Sequence, residues 1–346
     1  KKGMPLTVLT DLDGTLLPRP TGVGSAVTHP PLRNGPAYEP LCRLLSLGCT
    51  VVGVTGSRFA THRERFFDDL PSEHRVAGRV LLAVQTGIRL YGASEATGGE
   101  PQEDAEFADA LSQKISLSID PKVVDLLVEA GRAGLRRFYS EMAASPDKYI
   151  DPDGPLHFLR QCRADDIPIS SDPGIVPRIE VREERSAVVF VGVPSHLGST
   201  YFEVPAAATH AIDGRPTGRM CFDCVPRGLD KSLVVSHLLE SGVAVAGRTL
   251  ALGDQPAGND EGLARWHGHE ALDIPFVSVS EQRSMVPQRL HDCHLTAASN
   301  AEGSALLLDR LADRLSAEGD QFAVTTESMA LLIKQINQAA PAGHVT

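Results

Sequence analysis

The stretch Leu6-Thr7-Val8-Leu9-Thr10-Asp11-Leu12-Asp13-Gly14-Thr15 decides the fold of this chain. Its first five residues are an apolar run that is too short for a helix, and an Asp- and Gly-containing segment follows at once. Such a run is typical of a strand buried in a parallel sheet and followed by a tight turn. We therefore expect an α/β domain that starts with this strand.

The turn after this strand carries two carboxylates, Asp11 and Asp13. One carboxylate can attack phosphorus and form an acyl phosphate. The second can protonate a leaving oxygen and later deprotonate water. Gly14 would let the backbone approach a phosphoryl group closely, and Thr15 could donate a hydrogen bond to it. The alternative interpretation is an ordinary turn or helix cap.

Strands and helices alternate along most of the chain. The alternation predicts a Rossmann-like parallel sheet with right-handed crossovers and helices on both faces. The predicted strands of this core are 6–10, 49–54, 79–84, 249–252 and 275–279, and the predicted helices are 38–47, 59–70, 231–240, 302–317 and 327–338.

The alternation stops after residue 92 and returns at Lys231, after an insert that runs to about Met220. Between these points we expect an inserted α+β cap domain, with helices near 104–115 and 122–144 and strands near 178–181 and 187–193. A polar, Gly-containing segment at 93–103 is predicted to be a linker, and the Pro- and Gly-rich segment 18–36 a long loop. The expected domains are a first core part at 4–92, a cap at 93–220, a second core part at 221–320 and a C-terminal helix and tail at 321–346.

Other polar residues also follow the predicted core strands. Because ligands bind at the carboxyl edge of an open parallel sheet, these residues are candidates for the same site as Asp11. Thr55, Gly56 and Ser57 follow the second strand and precede a helix, whose N-terminus favours anions. Lys231, at the start of its helix, can supply a compact positive charge.

A second acidic segment follows the strand at 249–252. Asp254 and Asp260 offer the hard carboxylate oxygens that suit Mg²⁺. Asn259 can orient a neighbour or contact a phosphoryl group. The alternative interpretation is a solvated loop, since Gly, Pro, Asn and Asp favour turns.

Composition excludes several classes of protein. The 346 residues are 42% hydrophobic and 22% charged, which is ordinary for a globular protein, and the formal net charge is -11. This charge argues against a broad electrostatic grip on nucleic acid or an anionic membrane. No run is apolar and long enough to span a bilayer, and no hydrophobic signal region follows Met4, the expected natural start. The six cysteines are too sparse for a disulfide framework, which predicts a cytoplasmic location.

The quoted segments resemble, in order, the four motifs of the haloacid dehalogenase superfamily. The motifs are Asp11-Leu12-Asp13-Gly14-Thr15-Leu16, Val54-Thr55-Gly56-Ser57-Arg58, Gly228-Leu229-Asp230-Lys231-Ser232, and Gly253-Asp254 with Gly258-Asn259-Asp260. The insert between motifs two and three is similar to the cap of the subclass that contains sugar phosphatases and phosphomannomutases. That subclass usually has Asn-Gly after the third strand, whereas this chain has Thr86-Gly87.

The resemblance implies a role for each motif. Asp11 would be the nucleophile and a metal ligand, and Asp13 the acid/base that also binds the metal through its backbone carbonyl. Asp254 and Asp260 would complete a Mg²⁺ site, with Asp260 a direct or water-mediated ligand. Lys231 and either Thr55 or Ser57 would hold the transferring phosphoryl group, and the choice between these two donors stays open.

These features predict a Mg²⁺-dependent phosphatase that acts on a small phosphorylated metabolite, with a sugar phosphate favoured. The reaction would pass through an aspartyl phosphate on Asp11. One alternative is a phosphomutase, which motifs two to four favour slightly. Another is a catalytically inactive binding module. The oligomeric state is left open.

Overall fold

The computed structural model describes residues 5–18 and 29–339. The expected start at Met4, the centre of the predicted loop 18–36 and the end of the predicted tail lie outside the described residues. No helix among the described residues is long and apolar enough to cross a membrane.

The strands of the described residues form two sheets. A seven-stranded sheet has the order β11-β10-β1-β2-β3-β4-β5, and a four-stranded sheet has the order β6-β7-β9-β8. The strands are β1 Thr7–Asp11, β2 Thr50–Val54, β3 Val80–Val84, β4 Arg89–Gly92, β5 Gln102–Glu103, β6 Arg178–Val181, β7 Val188–Val191, β8 Ile212–Thr217, β9 Cys221–Pro226, β10 Thr249–Gly253 and β11 Phe276–Ser278.

The predicted α/β fold class is confirmed. Strands β11, β10, β1, β2 and β3 are parallel, as expected, and helices flank the sheet. Strands β4 and β5 extend this sheet in the antiparallel direction. The sequence predicted a linker at 93–103, but β5 lies in this segment and pairs with β4, so this prediction was wrong.

The described α-helices agree with most of those predicted. They are α1 Tyr38–Ser46, α2 Phe59–His62, α3 Ser72–Val76, α4 Ala105–Lys114, α5 Pro121–Ala144, α6 Pro146–Tyr149, α7 Gly198–Tyr201, α8 Ser232–Glu240, α9 Asn300–Glu318 and α10 Thr326–Ala339. The helix predicted over 59–70 is instead the short α2 followed by a π-helical turn, Arg63–Phe67.

The core around β1 is built from leucine-rich helix faces. Leu41, Leu44 and Leu45 of α1 are fully buried, at the three- and four-residue spacing of one helix face. They share a buried cluster with Val8 of β1 and with leucines of α9 such as Leu307. This packing fixes the buried strand whose last residue is Asp11.

The described residues divide into two compact units. The first contains 5–18, 29–111 and 230–339, and the second contains 112–229. The sequence placed the limits of the cap at 93 and 220, whereas the two compact units divide after residue 111 and after residue 229. Strand β5 belongs to the sheet of the first unit, and strand β9 pairs with β7 and β8 of the second.

The second unit packs α5 on one face of its sheet. A Cβ at Gly131 would lie 2.5 Å from the Phe190 ring, and one at Gly134 would lie 2.5 Å from the Tyr201 carbonyl oxygen. Both glycines therefore allow α5 to come close to its neighbours. Cys221 and Cys224 lie on strand β9 as free thiols, and burial raises the pKa of Cys221 to about 12.

Candidate active site

The candidate site lies where three neighbouring parallel strands end. Asp11 is the last residue of β1 and is paired with Val54 at the end of β2, while Thr10 is paired with Leu252 of β10. The segments that follow β1, β2 and β10 therefore leave the same edge of the sheet. These segments carry motifs one, two and four.

Lys231 joins two of the acidic residues. It directly precedes α8 and has no exposed surface. Its Nζ contacts Asp11 Oδ1 and lies 2.8 Å from Asp260 Oδ1. Burial would lower the pKa of Lys231, but the two carboxylates outweigh it and raise this pKa. The ammonium therefore stays charged and fixes the position of the Asp11 carboxylate.

Hydrogen bonds hold the remaining oxygens of these two carboxylates. Thr15, fully buried, donates its hydroxyl proton to Asp11 Oδ2 over 3.2 Å. The backbone N–H of Gln255 donates to Asp260 Oδ2 over 2.9 Å. Thr15 thus contacts the candidate nucleophile itself, as a second fixed partner besides Lys231.

Asp11, Asp254 and Asp260 form a group that could hold a metal ion. One oxygen of each lies within 4.8 Å of the others. Burial raises the pKa of Asp11 to about 7, and Asp260 adds to this effect while Lys231 opposes it. Three carboxylates beside a single ammonium leave excess negative charge, which a divalent cation would neutralise.

The backbone around this group is shaped for close approach. A Cβ at Gly14, whose φ is +87°, would lie 2.7 Å from Asp254 Oδ2. A Cβ at Gly253 would lie 2.4 Å from Asp260 Oδ2. Glycine at both positions lets the motif-one and motif-four turns meet at the carboxylates. The donor set, all hard oxygens, fits Mg²⁺.

Asp13 is held by two basic side chains that the sequence did not predict. Its Oδ2 lies 2.9 Å from His62 Nε2, and its Oδ1 lies 3.2 Å from Arg65 Nη1. Burial alone would raise the pKa of Asp13, but attraction by His62 and Arg65 outweighs it and lowers this pKa. The ionised carboxylate is the form that accepts a proton. One feature of the sequence could have indicated these two residues: His62 and Arg65 lie one helical turn apart just after motif two.

The structure distinguishes the two motif-two hydroxyls. Thr55 is buried, and its Oγ1 accepts the Ser57 N–H over 3.1 Å and lies 3.2 Å from His62 Nε2. Ser57 is partly exposed, and its backbone carbonyl accepts the Gln85 N–H over 2.8 Å. Gly56, between them, and Asn259, just before Asp260, are also partly exposed.

A left-handed turn after β3 supports motif two. Gln85, Thr86 and Gly87 have φ angles of 51°, 65° and 88°, and all three are buried. The Thr86 N–H donates to the Thr55 carbonyl oxygen over 2.9 Å. Positive φ is costly for a β-branched residue, and such strain gathers at functional sites. No propensity rule predicts this turn for Gln-Thr.

Neither a protein-family model nor a curated protein matches the chain. Several solved structures are similar to it at low identity. An IMP-nucleotidase from Plasmodium falciparum has 13% identity and a TM-score of 0.49, over 80% of this chain and 67% of that one. A sucrose-phosphatase from Synechocystis sp. PCC6803 has 15% identity and a TM-score of 0.46, over 89% and 98%. A haloacid dehalogenase-like hydrolase from Bacillus subtilis has 13% identity and a TM-score of 0.41, over 90% and 93%.

All three TM-scores lie below 0.5.

Proposed function

We propose that this chain is a phosphohydrolase of the haloacid dehalogenase superfamily, a Mg²⁺-dependent phosphatase that uses Asp11 as its nucleophile. One observation carries the proposal: the Asp11 carboxylate ends a parallel strand, contacts the buried Lys231 and lies in one acidic group with Asp254 and Asp260. A nucleophile, an acid/base, a cation and a metal site at one sheet edge are the parts that phosphoryl transfer requires.

In the first step, an Asp11 oxygen forms a bond to phosphorus, and the bond between phosphorus and the leaving oxygen breaks. The resemblance implies that Asp13, in its protonated form, donates a proton to that oxygen when the leaving group needs one. In the second step, water attacks the aspartyl phosphate and Asp13 takes its proton. Lys231 keeps Asp11 in place and offsets the negative charge that phosphate brings.

Thr55 is the motif-two donor that the contacts favour. The Thr55 oxygen accepts the Ser57 N–H. His62 Nε2 faces the Asp13 carboxylate and carries a proton there, so this nitrogen cannot accept the Thr55 hydroxyl proton. That proton therefore remains available for a phosphoryl oxygen. Gly14 and Gly56 would let the backbone come close to the phosphoryl group. Asn259 would contact it or orient Asp260.

Mg²⁺ would be held by Asp11 and Asp254, by Asp260 directly or through water, and by the Asp13 backbone carbonyl. When bound, the ion supplies positive charge that stabilises the transferring phosphoryl group. The raised pKa of Asp11 and the surplus of carboxylates support this site.

The proposed substrate is a small phosphorylated metabolite, with a sugar phosphate favoured by the cap resemblance. The net charge of -11 supports a small-molecule partner over nucleic acid or an anionic membrane surface, and the sparse cysteines support a cytoplasmic location.

The test is phosphate release from an aryl phosphate with Mg²⁺, comparing the native chain with Asp11→Asn. We expect the variant to lose at least about 1,000-fold in kcat, since the amide cannot form the intermediate. Full activity in Asp11→Asn would contradict the proposal. A panel of sugar phosphates, assayed for both free phosphate and isomerised sugar phosphate, separates hydrolysis from phosphomutase activity.

A further inference from the structure

His62 makes polar contacts through one edge of its ring only. The residue ends α2 and has no exposed surface. Its Nε2 lies 2.9 Å from Asp13 Oδ2 and 3.2 Å from Thr55 Oγ1. Its Nδ1 has no hydrogen-bond partner among the described residues. Among the described residues, the hydrogen-bonding contacts of the ring are therefore with Asp13 and Thr55, one from each of the two segments.

His62 Nε2 can carry one proton, so it can donate a hydrogen bond to one acceptor. This proton is donated to the nearer and charged acceptor, the Asp13 carboxylate, while Arg65 Nη1 lies 3.2 Å from the other carboxylate oxygen. Each carboxylate oxygen has two lone pairs, so each keeps one for a further partner. The Asp13 side chain is 38% exposed, which leaves room for such a partner.

We propose that His62 is a positioning residue: it orients the Asp13 carboxylate as the base that hydrolyses phosphorylated Asp11. This proposal rests on the proposed phosphatase function. In this step the water oxygen forms a bond to phosphorus. The bond between phosphorus and the Asp11 oxygen breaks, and its electron pair returns to the Asp11 carboxylate. The water proton goes to Asp13, and the products are inorganic phosphate and free Asp11.

An aryl phosphate isolates this step. An aryl oxide leaves without taking a proton, so phosphorylation of Asp11 by p-nitrophenyl phosphate does not need a positioned Asp13. Hydrolysis of the intermediate does need it, because the attacking water must lose a proton. Loss of the His62 contact should therefore slow the second step and leave the first nearly unchanged.

Two amides at position 62 form a matched pair. In His62→Gln, the side-chain nitrogen can occupy the place of Nε2 and still donate to Asp13. In His62→Asn, the nitrogen falls at the place of Nδ1, where the native ring has no partner among the described residues. Rapid mixing with p-nitrophenyl phosphate and Mg²⁺, together with acid quenching, measures the p-nitrophenol burst and the phosphoenzyme.

We expect His62→Asn to accumulate phosphoenzyme on Asp11, with a burst rate near that of the native chain and a steady-state rate lower by about 100-fold. His62→Gln should recover most of the steady-state rate. Equal loss of both rates in His62→Asn, or identical behaviour of the two amides, would overturn the inference, because a purely structural residue predicts that result.

If His62→Asn does not fold, the inference can be tested on the native chain. Nitrogen-15 NMR of labelled histidine should show a proton on Nε2 of His62, with a resonance that moves in Asp13→Asn. A His62 ring protonated on Nδ1 alone would overturn the inference. Absence of any phosphoenzyme or phosphate release in the native chain would instead reject the proposed function on which the inference rests.

Discussion

Lys231 is a fully buried cation between two carboxylates, and its surroundings give it both a structural and a chemical role. The charge of a buried ammonium is stable only because Asp11 and Asp260 compensate it. Removing one partner of such a group leaves the others buried and unpaired, which typically costs about 3–5 kcal/mol. The same ammonium positions the candidate nucleophile.

Lys231→Met should therefore impair folding and chemistry together. We expect the free energy of unfolding to fall by about 3–5 kcal/mol without Mg²⁺, and kcat to fall by at least about 100-fold. Denaturant unfolding and aryl phosphate hydrolysis measure these changes. Lys334→Met, at an exposed position of α10, is the control that should change neither. An active and stable Lys231→Met variant would remove this residue from the proposed site.

At the scale of elements, the packing of α5 on the four-stranded sheet depends on small residues. Gly134 lies against the backbone of Tyr201, and Gly131 lies against the ring of Phe190. A glycine inside a helix normally lowers helix stability by about 1 kcal/mol relative to alanine. The two glycines remain favourable here because close approach lets Phe190, Phe138 and their neighbours fill one core.

Gly134→Ala should destabilise the second unit in spite of the better helix propensity of alanine. A backbone oxygen cannot move aside as a side chain can, so we expect a loss of about 1–3 kcal/mol. Thermal unfolding of the full chain measures the loss. Ser140→Ala, at an exposed position of the same helix, should stay within about 0.5 kcal/mol of the native chain. A stabilised Gly134→Ala variant would contradict the close packing of α5.

At the scale of the whole molecule, metal binding is expected to be linked to stability. An ion that binds only the folded chain stabilises it by about 2.7 kcal/mol when present at 100 times its dissociation constant. In the metal-free chain, the pKa of Asp11 is raised from 3.8 to about 7. Because the pKa is higher in the folded chain, Asp11 adds to the free energy of unfolding below about pH 4. This contribution is lost as the pH rises through about 7.

Mg²⁺ should reverse that loss, because it replaces the proton as the partner of the Asp11 carboxylate. We therefore expect the increase in Tm caused by Mg²⁺ to be larger at pH 8 than at pH 6, and to disappear with EDTA. Asp254→Asn should lose most of the increase, whereas Glu270→Asn, an exposed acid of the same unit, should keep it. An equal increase in Tm for Asp254→Asn and the native chain would exclude Asp254 as a ligand.

The sequence alone determined the parallel core and the segments that form the candidate site. Short apolar runs ending in Asp, Thr or Gly specify buried strands and the turns after them, and strands β1, β2, β3 and β10 lie within a residue or two of their predicted limits. Since the ends of parallel strands share one edge, the meeting of Asp11 with the segments around Thr55 and Asp254 could also be predicted.

Only the tertiary structure decided which side chains support these residues. His62 and Arg65 reach Asp13 across about 50 positions of sequence, and their own spacing of one helical turn does not identify Asp13 as their partner. The left-handed turn at Gln85 and Thr86 opposes backbone propensity and persists because the Thr55 and Ser57 carbonyl oxygens accept its N–H groups. The pairing of β5 with β4 and of β9 with β7 likewise depends on hydrogen bonds between separate strands, which place β5 in the first unit and β9 in the second.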